Sequence, residues 1–311
     1  MNRTLAIASL HRLAFGAIFL LAFAASTAAE PVDAAPATPA AALRAHFAAA
    51  RERIQHSPLG QPIELISVEE ADRLAGDVYS MVDHPFGELR SALAQAKPWC
   101  RILILHLNVK YCRASSTASS DSLTVGVGRK FDQPLEDVYW VDFTFRAVAD
   151  GDAFLSVLLQ APSGPMSTHD YRIVVEAVPL DEHHSLPHMS YAYGYGTAAR
   201  WAMRVYLATL GRDKIGFSVV GRAADGSDIH VGGVRGAVER NTMRYYLAID
   251  AYLGTLALPE DERLPRSLRD WFGATERYSS QLHEIDLDAY LQMKQREVQR
   301  QESAAAPPLK R

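Results

Sequence analysis

Charged side chains stand in the middle of two strand-like segments of this sequence, where a buried polar group could meet a ligand. Asp142 and Arg146 interrupt one apolar run, and Arg172 and Glu176 interrupt another. An arginine beside a carboxylate could orient a polar head group through paired hydrogen bonds. Asp142 or Glu176 could also serve as a general acid or base. A salt bridge on the exposed face of the sheet is the alternative.

Three tyrosines alternate along a later segment, so a strand would project Tyr191, Tyr193 and Tyr195 from one face. Tyrosines of this kind offer a ligand an apolar wall with polar tips. Tyr245 and Ile249 belong to a helix that should turn toward the sheet. Core packing or an outer face is the alternative for the tyrosines. The expected ligand contacts are Asp142, Arg172, Glu176, Tyr191, Tyr193, Tyr245 and Ile249.

Histidines and acids cluster at residues 181–188, DEHHSLPH, and imidazole and carboxylate are common zinc ligands. This cluster lies at a turn between two strands, and adjacent histidines cannot easily aim at one ion, so we expect a solvated turn and no metal. No G-x-S-x-G or S-x-x-K motif occurs. Gly126 and Gly128 are not followed by a helix start, which argues against a dinucleotide loop. No cofactor is expected.

The two cysteines, Cys100 and Cys112, are expected to pair in an oxidising compartment. A straight strand would hold them roughly 35 Å apart, whereas a disulfide needs Cα atoms about 4.4–6.8 Å apart. The chain must therefore reverse between them, through a short helix at residues 99–106 and a strand at residues 109–112. Two unpaired buried thiols are the alternative.

Apolar periodicity predicts the elements that would position these residues. A strand at residues 76–82 leads into a helix that begins near Phe86. Later strands are predicted at residues 122–130, 137–148, 154–161, 171–180 and 185–196, and a hairpin at residues 214–220 and 228–234. Helices are predicted at residues 43–54, 197–209 and 238–256, and as one or two polar helices within residues 269–299.

Two motifs in this order resemble the START-like, or helix-grip, superfamily, which includes polyketide-cyclase-like proteins. The first is VYSMVDHPFGELRSAL, a strand that runs through Asp83-His84-Pro85-Phe86 into a helix, and the second is Pro98-Trp99-Cys100 at the following turn. The resemblance spans residues 74–256. It implies an α+β fold in which a curved antiparallel sheet wraps around a long C-terminal helix. Residues 238–256 are expected to form that helix, with residues 197–209 as the competing choice.

Residues 1–29 are interpreted as a signal peptide, with basic Arg3 and Arg12, an apolar run at residues 13–25, and small Thr27 and Ala29 before the cleavage site. Cleavage near Ala29 would give a periplasmic or secreted protein; an uncleaved anchor is the alternative. Residues 30–62 should form an Ala/Pro-rich linker and short helix, residues 63–258 the helix-grip domain, and residues 259–311 a helical extension with a disordered tail. Residues before 42 and after 299 are expected to be dispensable.

A cavity between sheet and helix is the usual place for a hydrophobic ligand. We therefore expect an exported binding or carrier protein for a lipid- or sterol-like small molecule. A cyclase or isomerase using cavity acids, and an envelope assembly factor that docks a partner through its C-terminal helices, are the alternatives. A formal charge of −4 and the lack of a basic stripe argue against nucleic acid. Transient membrane contact and the oligomeric state are left open.

Overall fold

In the computed structural model, which describes residues 38–196 and 214–303, one antiparallel sheet contains eight strands. Their side chains alternate between buried and exposed, as expected for strands with one face on a core. The strands are β1 (Ile63–Glu69), β2 (Arg73–Ser80), β3 (Val109–Ser116), β4 (Asp121–Val127), β5 (Tyr139–Asp150), β6 (Phe154–Ser163), β7 (Thr168–Pro179) and β8 (Ser185–Tyr195).

The spatial order of the strands is β1-β2-β8-β7-β6-β5-β4-β3. Strands β3 to β8 form a meander in which each strand pairs with the next, whereas β8 returns to pair with β2. A separate hairpin contains β9 (Val219–Arg222) and β10 (Asp228–His230), close to the predicted one. The edge strand β1 was missed from the sequence, although IELISVE is rich in β-branched and apolar residues.

The helices are mostly where apolar spacing and capping residues predict them. Thr38 caps the first by accepting the N–H of Ala41, and Pro85 immediately precedes the second. The helices are α1 (Pro39–Gln55), α2 (Phe86–Leu93), α3 (Ala96–Leu103), α4 (Gly233–Leu253), α5 (Glu260–Glu276), α6 (Ser279–Leu282) and α7 (Leu287–Ser303). None of these described helices is long and apolar enough to cross a membrane. The predicted helix at residues 197–209 lies outside the described residues.

Helix α4 packs against the inner face of the sheet, along β1, β2 and β8, which confirms it as the grip helix. It approaches β2 closely at Gly76, where an added Cβ would lie 2.3 Å from Thr242 Oγ1. Its opposite side is covered by α5, whose Trp271 donates its indole N–H to the carbonyl of Arg244 (3.0 Å). The helix is therefore buried from both sides.

Helix α1 covers part of the outer face of the sheet. Its Leu43, Phe47, Ala50 and Ile54 are buried in a second, smaller core. These residues recur at helical spacing, as the sequence indicated. The segment before β1 contains the predicted helix, which is 17 residues long and packs on the sheet.

The helices after residue 259, predicted as an extension of the helix-grip domain, belong to the same hydrophobic core. Pro265 lies inside α5, where it removes one hydrogen bond without ending the helix. In α7, Tyr290 is fully buried and donates its hydroxyl to the carbonyl of Leu105 (2.8 Å). Residues after 299 were expected to be dispensable. Gln301 nevertheless accepts a hydrogen bond from the backbone N–H of Cys112 (2.8 Å).

The predicted disulfide is present: Cys100 in α3 and Cys112 in β3 are bonded, with Cα atoms 5.1 Å apart. The chain reverses between them through the end of α3 and the loop before β3, as the spacing required. The bridge therefore ties a helix on the inner face to the edge strand of the sheet.

Candidate ligand site between the sheet and the grip helix

An apolar seam separates the sheet from α4 and α2. Strand alternation turns Val175 and Met189 inward, and helical spacing in α4 brings Tyr246, Ile249 and Leu253 to the same side. The ligand-sized cavity expected between the sheet and the long helix is absent from this seam, because its described side chains fill the space and leave only about 10 Å³. Its lining residues are Val82, Leu89, Leu93, Val175, Pro187, Met189, Tyr246, Ile249, Asp250 and Leu253.

A cluster of tyrosines continues the wall along β8. Tyr191 lies beside Tyr245 (5.2 Å between ring centroids) and Tyr193 (5.6 Å), and Tyr193 stacks on Tyr171 (5.2 Å). Burial raises the pKa of Tyr191 well above its ordinary value, so its hydroxyl is neutral. The structure thus brings together the predicted contacts Tyr191, Tyr193 and Tyr245, with Ile249 one turn along α4. Their contact with a ligand stays a prediction.

The other three predicted contacts lie on the outer face of the sheet, which corrects their expected position. Asp142 is exposed and accepts a hydrogen bond from Thr124 Oγ1 (2.7 Å), and Arg172 is also exposed. Glu176 is half-buried near His188 (3.4 Å). The physical reason is strand alternation: the neighbours Val141, Ile173 and Val175 are the residues that fill the core.

Asp250 is the carboxylate that does line the seam, and it is not among the residues predicted from the sequence. It lies one residue from Ile249 in α4, and no hydrogen bond or ion pair to its carboxylate is found among the described residues. Burial raises the pKa of this carboxyl group, although the charges of His84 and Arg277 oppose the shift. Helical spacing could have indicated Asp250, because it is four residues from Tyr246 and therefore lies on the same face of the helix.

His106 lies at the far side of Tyr245, on whose ring it stacks (4.6 Å between centroids). Its Nδ1 accepts the backbone N–H of Asn108 (3.1 Å), so Nε2 carries the proton. Nε2 is buried and has no hydrogen-bond partner among the described residues. Burial, and then the positive charge of Arg244, lower the pKa of His106 well below its ordinary value. The ring is therefore neutral.

Three buried charged side chains, Lys110, Lys294 and Glu297, lie next to His106. Glu297 accepts hydrogen bonds from Lys110 Nζ and Lys294 Nζ, both at 2.8 Å. Burial lowers the pKa of Lys294 to about 8, against the favourable charge of Glu297. The sequence predicts polar helices within residues 269–299, whereas one face of α7 is buried. The missed signal was a face with helical spacing that mixes apolar and charged residues: Tyr290, Met293, Lys294 and Glu297.

The acidic and histidine-rich turn at residues 181–184 is held together by hydrogen bonds to one side chain, that of Asp181. Asp181 accepts the backbone N–H groups of His183 (2.8 Å) and His184 (2.9 Å) and the ring N–H of His184. His188 instead lies on the outer face, between Asp77 (2.9 Å) and Glu176. Within residues 38–196 and 214–303, no group of three or more His, Cys, Asp or Glu could hold a metal ion.

No protein-family model matches the chain, and no curated protein matches it. A mutant norcoclaurine synthase from Thalictrum flavum, solved with a transition state analogue, is 10% identical with a TM-score of 0.33, covering 48% of this chain and 91% of its own. A conserved protein from Geobacillus kaustophilus is 11% identical (TM-score 0.30; 45% and 86%). Human StAR-related lipid transfer protein 5 is 10% identical (TM-score 0.28; 56% and 89%).

The topology of the chain itself assigns the fold. Strand β2 leads into the two helices α2 and α3, six further strands follow in a meander, and the last of them pairs with β2. The long helix α4 then packs across the inner face. Strand β1, helix α1 and the helices after α4 are additions around this unit. The chain therefore has an α+β helix-grip fold, in which an antiparallel sheet packs around a long helix.

Proposed function

We propose that the protein is an exported binding protein that carries a small hydrophobic molecule between the sheet and α4. The observation that carries this proposal is the seam, whose lining is apolar except for Asp250. A cavity of about 10 Å³ holds no more than one water molecule. A ligand must therefore enter by displacing side chains. Met189 suits this role, because an unbranched thioether repacks easily.

The polar groups around the seam would orient such a ligand. Among the described residues, Asp250 is the only carboxyl group in the lining of the seam, where it could accept a hydrogen bond from the polar end of a ligand. Burial raises its pKa. The tyrosine cluster would offer ring faces to an apolar body and hydroxyl groups to a polar end. We therefore favour a ligand that is mainly apolar and has one uncharged polar group.

Export is part of the proposal and has two supports. The sequence begins with the basic and apolar pattern of residues 1–29. The bond between Cys100 and Cys112 suits an oxidising compartment. Amino-terminal sequencing of the protein from a periplasmic or culture-supernatant fraction should find a start near Glu30. An intact protein that begins at Met1 and stays in the cytosolic fraction would contradict this part.

Native mass spectrometry of protein purified from its source tests the binding function. We expect an added mass that is lost on denaturation and that organic extraction recovers as an apolar small molecule. Ile249→Trp should fill the seam and lower the occupancy, whereas Val148→Trp on the exposed part of β5 should leave it unchanged. A protein without bound mass, which also fails to bind the extracted lipids of its source, would contradict the proposal.

A second candidate function, catalysis by a general acid or base, is favoured specifically by Asp250. A desolvated carboxyl group with a raised pKa beside a closed apolar cavity suits proton transfer. The carboxylates first considered, Asp142 and Glu176, lie on the outer face. If the bound molecule is turned over, Asp250→Asn should abolish turnover and keep binding. Asp142→Asn and Glu176→Gln should leave turnover unchanged.

A further inference from the structure

A second, larger cavity lies on the surface, away from the seam. It is a groove of about 550 Å³ between the exposed side of α3, the free edge of β3 and the last turn of α7. Lys97 and Arg101 come from α3, Arg113 and Ala114 from β3, and Gln301 and Glu302 from α7. The disulfide between Cys100 and Cys112 forms its floor. Because this bond joins α3 to β3, two walls of the groove are held at a fixed spacing.

The backbone of β3 is available in this groove. Strand β3 is the last strand of the sheet, so one of its edges has no neighbouring strand. Gln301 of α7 satisfies the outward N–H of Cys112. In an antiparallel strand, alternate peptide groups point to the same side, so the N–H groups of Ala114 and Ser116 also point outward. Neither has a hydrogen-bond partner on that side among the described residues.

The side chains around this edge are mainly basic. Lys97, Arg101 and Arg113 line the groove, against the single carboxylate of Glu302. Arg101 is paired with Glu260, whereas Lys97 and Arg113 have no ion-pair partner among the residues that the structure describes. A ligand that offers both a row of backbone hydrogen-bonding groups and negative charge would complement this surface.

We propose that this groove binds an extended acidic peptide segment of a partner protein, which adds as a strand to the free end of β3. Backbone hydrogen bonds to Ala114 and Ser116 supply the alignment, and the basic side chains select acidic residues. Helix α7 limits the length of the added strand, because it already covers the edge at Cys112. This interaction is separate from the ligand site in the seam.

A peptide-binding experiment tests the proposal. The probe is a fluorescein-labelled peptide of alternating glutamate and threonine, seven residues long, measured by anisotropy with the oxidised protein. We expect saturable binding that weakens with salt, because surface charges are screened. A lysine–threonine peptide of equal length, and the glutamate peptide with N-methylated backbone, should bind at least about tenfold more weakly. Equal binding of either control peptide would overturn the proposal, as would no binding of the glutamate peptide.

Two substitutions separate the backbone and charge contributions. Ala114→Pro removes an outward N–H, which an edge strand tolerates but strand addition does not, and it should weaken binding at least about tenfold. Arg113→Glu should weaken binding about tenfold through charge, with Arg146→Glu on exposed β5 as the matched control. Thermal melts establish that each variant is folded. Unchanged affinity in folded Arg113→Glu, or in folded Ala114→Pro, would overturn the proposal.

Discussion

Two histidines, the buried His106 and the half-buried His188, lie under opposite electrostatic conditions. Burial lowers the pKa of His188, but hydrogen bonds to Asp77 and Glu176 outweigh it and raise the pKa above its ordinary value. His106 has no such partner: burial and the charge of Arg244 lower its pKa. His188 is therefore stabilised in its charged form and His106 in its neutral form.

The two histidines should make opposite contributions to the pH dependence of stability. The contribution of His188 is fully present below the unfolded pKa of about 6.5 and is lost as pH rises through its higher folded pKa. The contribution of His106 is present above that unfolded pKa and is lost as pH falls below it. We would therefore measure the free energy of unfolding in urea between about pH 5 and 8. The deficit of His188→Gln relative to the wild type should be larger at the acidic end than at the basic end.

His183→Gln is the matched control for this measurement, since His183 is exposed at the turn after β7. Its curve of unfolding free energy against pH should superimpose on that of the wild type. If His188→Gln also superimposes on the wild type, the ion pairs with Asp77 and Glu176 do not stabilise the fold.

Ile249 tests the packing of the seam at the level of one side chain. It is 6% exposed and faces the inner side of the sheet. Ile249→Ala should lower the free energy of unfolding by about 2–5 kcal/mol, because it removes apolar contacts and leaves a cavity. Val148→Ala, at a site that is 56% exposed, should stay within about 0.5 kcal/mol. An Ile249→Ala protein as stable as the control would mean that α4 does not pack here.

Sequence patterns predicted the inward side chains better than the polar site. Tyr191 and Tyr193 were correctly placed on one face, since strand alternation applies to any strand. Asp142 and Glu176 were considered for the interior because they stand among apolar residues. The same alternation turns them outward, once Val141 and Val175 are known to face the core. Asp250 shares a helical face with Tyr246 but was not predicted, because helix α4 is buried on almost all sides and its apolar residues do not mark one face.

At the scale of elements, the contact between β2 and α4 depends on the absence of a side chain. Gly76→Ala would put a Cβ 2.3 Å from Thr242 Oγ1, so α4 must move or the side chain of Thr242 must rotate. We expect a loss of about 1–3 kcal/mol in unfolding free energy. Adding Thr242→Ala should recover part of that loss, which a double-mutant cycle would detect.

Gly87→Ala is the control for this substitution, because no atom lies within 4 Å of its added Cβ. It should be neutral or slightly stabilising, as alanine favours the helical conformation of α2. A Gly76→Ala protein as stable as Gly87→Ala would show that α4 and β2 are less closely packed than described.

Most elements followed from periodicity, and the exceptions have identifiable causes. The grip helix was predicted at residues 238–256 and is Gly233–Leu253. The predicted start is later than the observed one because Gly233 and Gly236 are poor helix formers. Tertiary contacts nevertheless hold both residues in the helix. Helix α5 begins at Glu260, before the predicted range of residues 269–299. The acidic first turn, Glu260 to Glu262, favours a helix start there, and the helix continues through Pro265.

At the scale of the whole molecule, the boundary of the folded unit is later than the sequence suggested. A chain that ends at Ser303 should be as stable as the full chain. A chain that ends at Gln299 loses the pairing of Arg300 with Asp132 and the hydrogen bond that Gln301 accepts from the backbone N–H of Cys112. It should therefore be destabilised by about 1–2 kcal/mol. Equal urea midpoints for the two truncated proteins would contradict this assignment.

The buried link between Lys110 and Glu297 has a consequence for how the protein is made. These two residues are 187 positions apart, and β2 must likewise wait for β8 before its inner edge is paired. A ribosome that has released only the first two hundred residues has not yet supplied α4 or α7. The chain consequently cannot complete its core during most of its synthesis. Until α4 and α7 are made, the inner face of the sheet keeps apolar surface exposed, which holding chaperones can bind.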